Sequence, residues 1–188
     1  MLKPPVNPDA RSLEDAFFAR ENAKLLDELR KKAALQERRD ALRQVIVGAD
    51  DELLDHLLAL GVNAETALAM SMLPLVRVAW ADGAIDAKER EALMRAVEER
   101  DIHPGTPGHE LLSSWLERKP GEAIQAAWGK YIRSLWPSLE PHERDELRER
   151  LLRLARGVAE AAGGFLGLGS KISPAERAVL AEIEAALS

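Results

Sequence analysis

Apolar residues recur along this chain three and four positions apart, the period that places side chains on one face of an α-helix. No β-branched alternating run and no Asn-Gly hairpin signal breaks that pattern. The spacing predicts an all-α protein, a compact helical bundle preceded by an N-terminal helical arm. Residues 1–11 hold three prolines and read as a flexible leader. Ser12, ahead of Leu13-Glu14-Asp15, is the expected N-cap of a charged helix that runs to about Val47. Its apolar positions (Leu13, Phe17, Leu25, Leu29) give way to Lys-Lys and Arg-Arg pairs after Arg30, and no heptad persists past two repeats. The segment reads as an arm with a long solvated face, which docks on the body or on a partner.

Gly48 breaks the pattern, and Asp50-Asp51-Glu52 opens a short helix carrying Leu53, Leu54, Leu57 and Leu58 to Gly61. The arm is thus expected over 12–62 and a helical domain over 63–188. Asn63 is the expected cap of the next helix. Pro74 should kink or interrupt it, because proline lacks the internal backbone donor, and it should end at Asp82-Gly83. Asp86 caps a further helix, with Leu93, Ala96 and Val97 on one face. Residues 101–108 form a Pro/Gly loop. A short helix is expected from Leu111 to Leu116. Ile124, Ala127, Trp128, Tyr131 and Leu135 then mark one helical stripe; Leu147, Leu151, Leu154 and Val158 mark another. A glycine-rich loop spans Gly163 to Ser170, and Ser173 caps the last helix, whose Leu180, Ile183 and Leu187 point inward.

Within this succession the chain repeats itself. Val78-Ala79-Trp80-Ala81-Asp82-Gly83 is echoed by Val158-Ala159-Glu160-Ala161-Ala162-Gly163. Ile85-Asp86-Ala87-Lys88-Glu89-Arg90 is echoed by Ile172-Ser173-Pro174-Ala175-Glu176-Arg177, with Leu93 answered by Leu180. Each copy reads as helix, glycine turn, buried isoleucine and capped helix. Asp86 with Glu89, and Ser173 with Glu176, have the spacing of capping boxes: the cap accepts an amide bond and the glutamate reaches back. Two such helix-turn-helix units suit a pseudo-two-fold arrangement.

The same residues carry a resemblance. Trp80-Ala-Asp-Gly-Ala-Ile-Asp-Ala-Lys-Glu89 resembles the signature of TerB-like domains of tellurite-resistance and stress proteins. Gly163-Gly-Phe-Leu-Gly-Leu-Gly-Ser-Lys-Ile-Ser-Pro-Ala-Glu176 resembles the second half of that fold. The similarity extends over roughly residues 64–188. It implies a compact helical bundle, an acidic cluster suggested to hold a divalent cation, and protein partners that are membrane-bound. The second copy departs from the first, with Ala162 standing where the first has Asp82.

Composition narrows the function classes. At 46% hydrophobic and 31% charged, the chain has enough apolar residues for a core and enough charge to solvate it. A net charge of −6 supplies no bulk attraction to nucleic-acid phosphates, so no nucleic-acid partner is expected. The absence of cysteine removes disulfides, thiolate zinc sites and cysteine nucleophiles. It fits a cytoplasmic protein. The longest apolar stretch, Ala67 to Val76, contains Ser71 and Pro74 and stops at Arg77, about half a membrane span.

Candidate chemistry centres on three carboxylates around one turn: Asp82, Asp86 and Glu89. Aligned to an EF-hand loop they take positions five, nine and twelve, but positions one and three are Val78 and Trp80, which cannot ligate. Calcium wants about six to eight oxygens, so a second segment must complete the site; Glu160 from the repeat is the candidate. The expected metal set is therefore Asp82, Asp86, Glu89 and Glu160, for calcium, magnesium or manganese. Against this, helix capping alone accounts for Asp86 and Glu89, leaving Asp82 over. Gly164 to Lys171 imitates a phosphate loop, but Ser170 precedes Lys171 where the motif has Lys first, and no strand leads into it. The four histidines share no ligand spacing, and no nucleophile elbow is present. The arginines of 144–156 alternate with glutamates and read as a salt-bridged helix face. With no assembled base, nucleophile and oxyanion donor, an enzyme is not expected. Two functions follow from the sequence: a non-catalytic TerB-like adaptor in an envelope- or metal-stress system, or a purely structural interaction module that binds a partner through its arm.

Overall fold

Short polar caps and glycine turns cut the chain into helices, and their apolar stripes bring those helices together. The computed structural model describes residues 8–161 and 172–188, with side chains from Ala16 onward in the first segment. Among the described residues it contains α1 (Pro8–Val45), α2 (Asp51–Ala59), α3 (Ala67–Ala79) and α4 (Ala87–Glu98). These are followed by α5 (Pro107–Glu117), α6 (Glu122–Leu135), a single 3-10 turn (Trp136–Ser138), α7 (Pro141–Ala161) and α8 (Pro174–Ala186). No strand occurs among them, and one hydrophobic core extends from Leu42 to Leu187.

α3 is the centre of the bundle. Nine of its 13 residues are buried: Ala69, Met70, the run from Met72 to Val76, Val78 and Ala79. It packs against α4, α5, α6, α7 and α8. Pro74 sits inside it without interrupting it. The missing amide bond costs the helix locally, but packing on nearly every side holds the backbone helical. α3 ends at Ala79 with Trp80 as C-cap, short of the expected Asp82-Gly83. Its start also differs: Asn63 Oδ1 accepts from the amides of Glu65 (2.9 Å) and Thr66 (3.1 Å), organising a turn, and the helix begins four residues later at Ala67.

The C-terminal part of the expected arm, from Arg39 onward, docks on the body. α1 starts at Pro8, so Ser12 lies within the helix and is not its N-cap. From Ala16 to Arg38 every residue is exposed except half-buried Glu21. Leu42 and Ile46, by contrast, are buried, and α2 buries all four of its leucines in the same core. Arg39 grips α2 with two bonds to the Asp55 carboxylate, at 2.8 and 2.7 Å. The body therefore begins near Arg39, and only the preceding part of α1 is an arm. Gly48 makes the turn into α2 possible: its φ is +79°, and a Cβ there would lie 2.8 Å from the Ser134 carbonyl oxygen.

α7 packs on α3, α4 and α8. Its arginines do not pair with its own glutamates among the described residues. Instead Arg144 donates to the Leu139 carbonyl at 3.0 Å and Arg148 to the Leu187 carbonyl at 2.8 Å, tying α7 to the end of α8. Trp128 is a core residue, as its stripe implies, and Trp115 is buried as well. The glycine-rich loop and the phosphate-loop imitation at Gly164–Lys171 lie outside the described residues.

Candidate functional site

The turn between α3 and α4 starts where Trp80 closes α3, its amide bonded to the Val76 carbonyl and its indole donating to the Trp115 carbonyl at 2.8 Å. The glycine at 83 takes φ +98°, a conformation that disfavours side chains. Asp82 is exposed and accepts from the Ala84 amide at 3.3 Å, which stabilises the turn. Asp86 then caps α4. Its Oδ1 accepts from the amides of Lys88 (2.7 Å) and Glu89 (2.8 Å), and Glu89 Oε2 accepts in return from the Asp86 amide at 2.8 Å. The capping box read from the spacing is fully formed.

The environment of Glu89 is unusual. It is only 3% exposed, one of three buried polar or charged residues among those described. Burial pushes its carboxyl up to about 7, against the lowering effect of its bond to the Asp86 amide. The negative charges of Asp86, Asp82 and Glu176 add to the rise. Glu176 occupies the same position in the second box: Ser173 Oγ accepts from its amide at 3.1 Å, and its carboxylate accepts from the Ser173 amide. It is 4% exposed, and its Oε1 finds no hydrogen-bond partner among the described residues. The two box glutamates thus lie buried within electrostatic reach of each other.

Three of the four expected acids, Asp82, Asp86 and Glu89, belong to this neighbourhood. Glu160 lies on the exposed surface of α7, where it lines an open cleft of about 590 Å³ with Glu149, Arg153 and Arg156, and it is not among the acids whose charge raises Glu89. The acid of the second repeat whose charge reaches Glu89 is Glu176. Sequence reasoning passed over it, although a signal existed: Glu176 answers Glu89 in the repeat. Among the described residues no group of three or more His, Asp or Glu side chains is arranged to hold a metal ion. Val78 is buried and Trp80 is committed to Trp115, so neither supplies the missing positions of an EF-hand loop. His103 and His142 are exposed, and His56 and His109 half-buried.

These features define an all-helical bundle with two buried capping-box glutamates and a long exposed N-terminal helix. Compared with protein-family models, curated proteins and solved structures, the chain matches none. No described helix is long and apolar enough to cross a membrane.

Proposed function

We propose that this chain is a non-catalytic, TerB-like cytoplasmic adaptor of an envelope- or metal-stress system that meets a protein partner through the free part of α1. The observation that carries the reading is the exposure of large apolar side chains there, with Phe17, Phe18, Leu25, Leu26 and Leu29 each more than half exposed. An apolar surface of this kind on an otherwise charged helix marks an interaction site. The TerB-like part rests on the Trp80–Glu89 motif and its later echo. Affinity capture from the native cell tests it: the full chain should retain a partner that the Leu25→Glu, Leu29→Glu variant loses. Capture unaffected by that double substitution counts against the adaptor.

A second reading adds a divalent cation at the acidic turn, and two observations favour it. Asp82 lies just past the C-terminal end of α3, where the helix dipole disfavours a carboxylate. Glu176, whose charge reaches Glu89, has a buried oxygen with no hydrogen-bond partner among the described residues. A cation would offset both, once the carboxylates turned toward it from their capping bonds. Thermal melting with a chelator and with millimolar calcium, magnesium or manganese tests this. The wild-type melting temperature should rise with at least one ion, and Asp82→Asn should reduce that response. A wild-type melting temperature indifferent to all three removes the cation and leaves the adaptor reading standing alone.

A further inference from the structure

The free part of α1 has a second property beyond its apolar residues: its charges are segregated along the axis. Glu21 to Glu28 carries three anions against one cation, whereas Arg30 to Arg38 carries four cations against one anion. Phe18, Leu25 and Leu29, spaced 7 and 4, form one stripe flanked by Leu26. At 3.6 residues per turn this stripe lies about a quarter turn from the face of Arg39, Leu42 and Ile46 that docks on the body. The stripe is therefore not a continuation of the docking face, and the body's own core does not extend along it.

We propose that the free part of α1 pairs antiparallel with the same helix of a second copy of this chain. The inference rests on the adaptor reading's premise that α1 is an interaction surface, and names the occupant. Antiparallel pairing sets the acidic run of each helix against the basic run of the other, at both ends of the contact. It also opposes the helix dipoles. Parallel pairing would set like charge on like charge. A membrane surface fits the stripe less well. Peripheral amphipathic helices line their polar face with Lys and Arg, while the apolar stretch here, Phe17 to Leu29, holds Glu21, Asp27 and Glu28 against Arg20 and Lys24. From Phe17 to Glu37 the helix is about 30 Å long, which places the contact at the small end of specific interfaces.

Sedimentation of the full chain over a concentration series, at low and physiological salt, tests the proposal. A monomer–dimer equilibrium is expected, weakened at least tenfold by Leu25→Glu with Leu29→Glu, with helicity and melting temperature unchanged because both side chains are exposed. Lys31→Glu with Lys32→Glu should weaken it more at low salt than at high salt. Orientation is read by disulfide trapping, which the absence of native cysteine makes unambiguous. In a mixture of Glu21→Cys and Lys32→Cys chains, the 21–32 disulfide should form in preference to 21–21 and 32–32. A chain that stays monomeric at the highest concentration, a dimer indifferent to the leucine substitutions, a predominance of 21–21 and 32–32 links, or a monomer that binds anionic vesicles through the stripe would each overturn the proposal. The adaptor reading fails separately: a monomer that still captures its partner through Leu25 and Leu29 loses only the second copy, while a dimer that captures nothing loses only the adaptor.

Discussion

Glu89 and Glu176 show how one side chain type serves local structure and still carries a consequence for stability. Each closes a capping box, and each is buried in doing so. The carboxyl of Glu89, raised to about 7 by burial and neighbouring acids, keeps its proton in the folded chain at a pH where the unfolded chain has lost it. Its stabilising contribution is therefore complete below the usual glutamate value of 4.5 and is lost as pH rises to about 7. The loss is on the order of 3 kcal/mol at most. Glu89→Gln preserves an oxygen for the Asp86 amide and removes the titration. Urea midpoints at pH 5 and pH 7.5 should then differ less in the variant than in wild type. Equal pH dependence in the two proteins would show that Glu89 does not titrate in this window. The caps themselves are tested more simply: Asp86→Ala and Ser173→Ala should each cost about 0.5–2 kcal/mol, because an amide loses its acceptor. An unchanged denaturant midpoint would deny the box its role. Gly48→Ala should also destabilise, by about 1 kcal/mol or more, from its positive φ and the approach to Ser134.

Among the elements, α1 is the one that changes character along its length. Among the described side chains of this 38-residue helix only Leu42 is buried, and Ile46 joins it in the core just past the helix end. The rest is held by local ion pairs such as Lys24–Glu21 and Lys31–Asp27, both exposed and individually weak. Removing residues 1–36 should accordingly leave the melting temperature nearly unchanged. Removing residues 1–47 takes away Leu42, Ile46 and the Arg39–Asp55 pair and uncovers the leucines of α2. The loss should be several kcal/mol, since each buried aliphatic side chain deleted costs about 2–5 kcal/mol. Thermal melts and near-UV dichroism of the two truncations check this. A 48–188 chain as stable as 37–188 would mean that the end of α1 is dispensable to the core.

At the scale of the whole molecule, α3 is the common element against which the later helices pack, and α7 is its main companion. Cross-links between distant parts of the chain follow the same plan. Arg77 of α3 pairs with Glu182 of α8, and Arg90 of α4 donates to the Leu116 carbonyl at the end of α5. Amide hydrogen exchange should therefore be slowest in α3, at rates set by global unfolding, and fastest in α1 from Ala16 to Arg38, where every residue but half-buried Glu21 is exposed. Fast exchange in α3 would refute this order. The sequence by itself determined the helical class, both capping boxes, the apolar stripes of α2, α6 and α8 and the acidic turn, because spacing and capping are local properties carried by residues a few positions apart. It left open whether the arm docks on the body, expected Pro74 to kink or interrupt a helix that is continuous through it, and did not bring Glu176 within electrostatic reach of Glu89. Those outcomes depend on which faces meet in three dimensions. Burial of Leu42 and Ile46, support of α3 from many sides, and the approach of two glutamates 87 positions apart are decided only when the helices pack.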